Sequence, residues 1–387
     1  MIAKGLHQSV DRGFEAEQVP FLKRLVETPS CSREREDVEA AARVLDEQAD
    51  ALGLSIERVP DPTGVYADHR VYVTPAGESA PRCLALVGHV DTVFPRSMGF
   101  FGFERDGDVA RGPGVLDMKS GLSSIFFALA AQPDPLAVPV RVVINSDEEV
   151  GSPSSAPLFE RVSARTTEAL VFEAGRAEDA LITCRKGAGG FTATARGRAA
   201  HSGLAHAEGV NAIAALALAI GRVEALTDYA RGVTFNVGLV EGGTSANTVP
   251  GEASCRIDCR YIHPEDRDWA GEALREAVEG APLGGRLEGA QLTLDGRFHR
   301  PAMVPTDANR ALLARYARHA VAVGLGHGEA PLQGGGSDAN ILASHGVPCI
   351  DGLGPSGHGV HRTDERISLD SLRRRTQALA RFLADPG

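Results

Sequence analysis

The sequence has no CxxC pair, no long run of basic residues, no apolar run long enough to span a bilayer and no internal repeat. Each absence excludes something. Its six cysteines, Cys31, Cys83, Cys184, Cys255, Cys259 and Cys349, lie scattered along 387 residues, which argues against a thiolate zinc site and a disulfide framework. Cys255 and Cys259 fall on one face of an expected strand, as reduced core thiols do. The most apolar stretch, "NAIAALALAIG", is about half the length that crosses a membrane and reads as a packed helix. The formal net charge of −11 is spread over interspersed acids and bases, whereas binding to nucleic-acid phosphates needs a basic face. The segment "MIAKGLHQSVDRGFEAEQVP" lacks the long apolar core of a secretory signal. The expectation is a cytoplasmic protein with no nucleic-acid or membrane partner.

What is present is enough chain for two domains and a large core. "EAEQVPFLKRLVETPS" and "EREDVEAAARVLDEQADALG" have helical apolar spacing. "RCLALVGHV", "PVRVVINSDE" and "EALVFEAG" are short apolar runs ending in polar or Gly residues, with a helix expected over "SGLSSIFFALAAQ" between the first two. That order predicts an α/β domain with a mainly parallel sheet and helices on both faces. The middle of the chain reads βαββαβ, a small ferredoxin-like α+β domain inserted over 185–297. The α/β domain then comprises 1–184 and 298–387.

The stretch "LALVGHVDTVFP" raises the chemical question. Residues two apart on an extended strand face the same way, so His89 and Asp91 can share a site. The Asp91 carboxylate would accept one ring N–H and leave the other nitrogen for a metal. A local hydrogen bond that merely fixes the imidazole tautomer is the competing reading. Further acids stand at the expected strand ends: Asp117 in "GPGVLDMKSG", Glu148 and Glu149 in "INSDEEVGS", Glu173 in "VFEAG". "DGLGPSGHGVHRTDE" after the last strand offers His358 and His361. Ligand sites of open α/β sheets lie outside the carboxyl ends of the strands. Each acid alone reads as a solvated loop carboxylate; together they point to one cleft. So many carboxylates would repel one another unless cations were present. Two divalent ions resolve the repulsion, one carboxylate bridging them. N/O donors suit zinc, and also cobalt or manganese. Within the Glu148–Glu149 pair, one residue can bind metal while the other takes a proton from the attacking water.

"GHVDTV", "GPGVLDMKSG", "SDEEVGS", "AHSG", "GGTSANTVP" followed by "DCR", "GGGSDA" and "HRTDE" occur in this order between about residues 84 and 366. In that set the chain resembles the M20 family of dinuclear zinc peptidases and amidohydrolases, in its glutamate carboxypeptidase branch. The resemblance implies two zinc ions per chain. It implies His89, Asp117, Glu149, Glu173 and His361 as ligands, with Asp117 bridging. Asp91 would orient His89, and Glu148 would be the general base. His358, three residues before His361, competes less well for the last ligand position.

The inserted domain is, by the same resemblance, a lid and dimerisation domain. His201 would stabilise the oxyanion, acting on a partner's site; a surface histidine is the competing reading. Asn247 and Arg260 would bind the substrate's free carboxylate, Arg through its planar fork; for Arg260 the competing reading is a strand-edge salt bridge. Arg300 is a further candidate for that carboxylate. Gly335 and Gly336 would offer backbone N–H groups, and Lys186 is read as structural. The implied activity is cleavage of an amide bond in an N-acyl amino acid or short peptide with a free C-terminal carboxylate. The alternatives are a deacylase of the acetylornithine or succinyl-diaminopimelate type, and a non-catalytic binding protein on the same fold. Every catalytic position is filled, which counts against the last.

Overall fold

A computed structural model of the protein describes residues 2–133, 139–280 and 283–386. The chain divides into two compact units: Met1–Cys184 with Pro305–Gln333 and Ser337–Gly387, and Arg185–Val304 with Gly334–Gly336. The second unit ends later than residue 297. Its last strand runs Gln291–Arg300, past that boundary. Gly296 sits inside it at φ +122, where an added Cβ would lie 2.3 Å from the Gly190 carbonyl oxygen. A strand glycine can mark close backbone approach as well as a turn.

In the first unit one sheet has the order Ser55–Val59, His69–Val73, Val140–Asn145, Cys83–His89, Thr166–Val171, Cys349–Ile350. The last four strands are mutually parallel. The first two join antiparallel at one edge. Cys83–His89 and Val140–Asn145 are buried at every position, as strands covered on both faces are. The core joins Leu84, Leu86, Val142, Ile144 and Leu170 to helix residues such as Leu45, Leu122, Phe126, Leu312 and Leu379. Because four strands run the same way, their carboxyl ends form one edge. Neighbouring strands lie about 4.8 Å apart, so the loops leaving that edge start close together.

A helix, Ser120–Ala130, is wedged against this edge. An added Cβ at Gly121 would fall 2.2 Å from the Phe172 carbonyl oxygen, and one at Gly88 would fall 2.6 Å from Met118 and Leu122. The absence of these two side chains lets the start of the helix lie between the ends of the second and third parallel strands.

The second unit is a four-stranded antiparallel sheet in the order Thr234–Gly242, Glu252–Tyr261, Gly187–Arg196, Gln291–Arg300. Helices Ala212–Glu224 and Asp266–Glu279 complete a βαββαβ order. Phe191, Ala193, Cys255, Ile257 and Cys259 alternate into its core with Leu216 and Leu274. All six cysteines are free thiols. No helix among the described residues is long and apolar enough to cross a membrane.

The wedge makes a prediction of sign. In an ordinary helix, Gly→Ala stabilises by roughly 0.5–1 kcal/mol. Gly121→Ala should instead destabilise by about 1–3 kcal/mol, the usual cost of forcing atoms into a packed interior. The urea midpoint should fall at unchanged slope; a raised midpoint would contradict the packing described.

Candidate metal centre

His89 is the last residue of the central parallel strand, and its side chain is buried. Its Nδ1 lies 3.0 Å from the backbone carbonyl oxygen of Asp91 and 3.4 Å from the Asp91 carboxylate. This corrects the expected orientation of His89 in part. The strand stops at His89, so Asp91 lies beyond it and presents its carbonyl more closely than its carboxylate. The carboxylate has other partners: it accepts from the Ser32 hydroxyl at 2.6 Å and from the backbone N–H groups of Glu148 and Glu149 at 3.2 Å each. Asp91 therefore ties the loop leaving one strand to the turn that carries both glutamates.

The other face of His89 meets the acids. Its Nε2 is 3.3 Å from Asp117 Oδ1 and 3.8 Å from Glu173 Oε1. Asp117 arrives from the wedged helix: it precedes Ser120–Ala130, and Met118 Sδ accepts the His89 N–H at 3.3 Å. Glu173 follows the neighbouring strand Thr166–Val171. The second carboxylate oxygen of Asp117 faces another imidazole, with His361 Nε2 3.5 Å from Asp117 Oδ2 and 3.0 Å from Glu149 Oε2. Asp117 thus stands between two histidines, one oxygen toward each. Two donor triads fall within metal-binding reach, His89 with Glu148 and Glu173, and His89 with Asp117 and Glu149. Glu148 is near enough to be a donor itself, so proximity alone does not separate base from ligand. His358 lies exposed on the short strand Gly357–His358, paired across to Arg366.

The electrostatics show what such a cluster demands. Burial, followed by the charge of Asp117, pushes the Glu173 carboxyl well above its usual range, and burial pushes Glu149 up. Burial opposes charge on His89, yet Asp117, Asp91 and Glu173 hold it well above its ordinary value. Asp117 and Glu149 together raise His361 to about 10. Burial also opposes charge on Asp117, but His361 and His89 hold it well below the carboxylate range. The site thus gathers positive charge onto its imidazoles. Divalent cations provide that charge directly, and a set of imidazole nitrogens and carboxylate oxygens without thiolate fits them.

Four residues around the centre were not legible beforehand. Glu365, fully buried, accepts from the backbone N–H groups of Leu116 at 2.6 Å, Asp117 at 2.9 Å and Gly114 at 3.3 Å. Burial drives its carboxyl up to about 7 against those donors. Lys119 donates to the Thr28 carbonyl at 2.8 Å, and burial lowers it to about 7. Asp147 accepts from Ser154 and Ser155 and braces the loop behind Glu148. Buried His69 meets Ser146 and Ser154 at 3.1 and 3.0 Å. Sequence position marked only two of the four, Lys119 two residues from Asp117 and Asp147 one residue from Glu148.

In the second unit, the short ribbon Ala200–His201 with Thr248–Val249 brings His201 beside Asn247: His201 pairs with Thr248, and Ser202 N–H donates to the Asn247 carbonyl. Both side chains are exposed, and His201 Nδ1 accepts from Gly203 N–H at 3.1 Å. Arg260 and Arg300 flank Ala188 on the two adjoining strands. Arg260 forms a two-pronged pair with Asp258, at 2.9 Å on each prong, so a strand salt bridge is indeed present. Arg260 also reaches the Gly334 carbonyl at 3.5 Å, and Arg185 donates to the Gly335 carbonyl at 2.9 Å. Gly336 packs on the Arg300 side chain. The segment 334–336 thus sits beside three arginine side chains, of which Arg185 was not expected. Lys186 lies in the chain segment between Arg185 and the strand Gly187–Arg196.

The profile of peptidase family M20/M25/M40 matches residues 85–385. The chain is 27% identical over 375 residues to carboxypeptidase G2 of a Pseudomonas species, covering 95% of this chain and 89% of that one. It is 26% identical to the succinyl-diaminopimelate desuccinylase of Acidiphilium cryptum, covering 95% and 98%. Aminopeptidase PepT from Bacillus cereus has the same fold, with a TM-score of 0.77 at 23% identity over 96% of this chain and 99% of that one. The chain belongs to peptidase family M20/M25/M40 and is an enzyme, a hydrolase of the metallopeptidase class.

Proposed function

We propose that this enzyme hydrolyses the amide bond of an N-acyl amino acid or short peptide with a free C-terminal carboxylate, using two zinc ions. The observation that carries the reading is Asp117, whose two carboxylate oxygens face His89 and His361 separately. His89, Glu173 and Asp117 would hold one ion; His361, Glu149 and Asp117 the other. Divalent cations there supply Lewis acidity, polarising a carbonyl oxygen and acidifying water toward neutral pH. Glu148 takes the proton of the attacking water and delivers it to the leaving nitrogen. Asp91 fixes the backbone of Glu148 and so aims that carboxylate. His201 donates a hydrogen bond to the developing oxyanion, in a homodimer joined through the second unit. Asn247 and Arg260 bind the free carboxylate, Asp258 holding the Arg260 fork in plane; Arg300, Gly335 and Gly336 border that position. The likeness to carboxypeptidase G2 supports a C-terminal amino-acid leaving group. The likeness to a desuccinylase supports a deacylase reading, and a hydrolysis screen of both substrate series separates the two. A cytoplasmic location accords with the free thiols.

The glutamate pair tests the division of labour. Glu148→Gln should keep both zinc ions and the fold yet lose about 10²–10⁴-fold in turnover, as loss of a general base does. Glu149→Gln should lower zinc content by elemental analysis. The opposite pattern would show the pair assigned backwards.

The second unit is tested by kinetics. Arg260→Ala should mainly raise KM for substrates with a free carboxylate and scarcely affect amidated analogues. His201→Ala should lower kcat by about 10²–10³, as removal of an oxyanion donor does. Mixed dimers of His201→Ala and Glu148→Gln chains should recover activity. Equal KM effects on both substrate types would remove Arg260 from carboxylate binding, and verified heterodimers without activity would remove the action across the dimer.

A further inference from the structure

The run "HRTDE" contributes His361 to the centre, and its last residue has no part in the chemistry so far. Glu365 is fully buried, four residues beyond His361 in sequence and in contact with the loop of Asp117. One carboxylate oxygen accepts from Leu116 N–H and Asp117 N–H, the other from Gly114 N–H. The loop that supplies these donors is bent around them: Gly114 has φ +72, and Asp117 and Met118 depart from helical angles just before the helix begins. On its own side, Glu365 N–H donates to the Arg362 carbonyl, and Arg362 N–H to the Gly359 carbonyl. That turn carries His361 at φ +63, a left-handed conformation rare for a residue with a Cβ. The Glu365 carbonyl accepts from Gly112 N–H, and the next residues pair as strands, Arg366 opposite Arg111.

We infer that Glu365 is the positioning residue of the metal centre: one buried carboxylate that fixes the Asp117 loop against the His361 turn before any ion arrives. This rests on the dinuclear reading above. The backbone N–H of Asp117 is held by Glu365 while its carboxylate faces both imidazoles, so the direction of that side chain depends on the tie. A carboxylate suits the task because both its oxygens accept. An amide has one accepting oxygen, and its NH2 group would face a backbone N–H, donor against donor. A purely structural anchor would lower stability when lost and leave the affinity of a folded site unchanged. A positioning residue lowers the affinity itself.

The test is zinc affinity, measured by titrating metal-free protein against a chromophoric chelator. Glu365→Gln, shown folded by circular dichroism, should bind zinc about 10–100-fold more weakly, the usual effect of losing a group that orients ligands. Asp364→Asn, a change at the neighbouring residue paired with Arg362, should bind as the wild type does. A wild type that binds two ions with a Glu365→Gln variant of equal affinity overturns the positioning role and leaves the dinuclear reading standing. A wild type that takes up fewer than two ions overturns both. If Glu365→Gln does not fold, hydrogen exchange on the wild type decides. The Leu116 and Asp117 amides should be protected in the metal-free protein. Exchange at unprotected rates until zinc is added would show that the ions, and not Glu365, organise the loop.

Discussion

The carboxylates of Asp117, Glu149 and Glu173 lie within reach of two imidazoles at one edge of a parallel sheet, and this crowding of like charge governs the first unit. Two unit charges about 4 Å apart repel by about 4 kcal/mol at an effective dielectric constant of 20. A folded domain has a margin of only about 5–15 kcal/mol. Uncompensated, the cluster would consume much of that margin. Protonated imidazoles compensate in part, and divalent cations do so more fully. The burial of these acids is the physical reason for proposing divalent cations at this site.

The fold meets the constraint with two devices. Parallel strands bring His89, the Glu148–Glu149 turn and Glu173 to neighbouring positions. The wedged helix, admitted by Gly88 and Gly121, delivers Asp117 across the end of the central strand. Backbone N–H groups then hold the surrounding carboxylates: those of Glu148 and Glu149 on Asp91, those of Ser154 and Ser155 on Asp147, and those of Gly114, Leu116 and Asp117 on Glu365. The candidate metal ligands are thus bordered by acids that are themselves tied to the backbone.

How much of this the sequence reveals depends on the physical signal. His89, the Glu148–Glu149 pair and Glu173 follow continuous apolar runs, which mark buried parallel strands, so their convergence was legible. The βαββαβ order of the second unit was legible from its alternation. The strands Ser55–Val59 and His69–Val73 were not, since "SIERV" and "HRVYV" mix charge with apolar residues. The second of these is nonetheless buried throughout, with Arg70 paired to Asp46 and Glu39. Asp91 shows the finer limit. Its nearness to His89 follows from spacing, but the partner it serves best is set by where the strand stops. Glu365 is invisible to spacing altogether, because its partners are backbone groups about 250 residues away.

The central claim is that Asp117 stands between two ions. A crystal structure of zinc-loaded protein, with anomalous data collected at the zinc absorption edge, tests it directly. The account predicts two peaks per chain flanking the Asp117 carboxylate, one beside His89 and Glu173 and one beside His361 and Glu149. A single peak, or two peaks that do not share Asp117, would contradict it.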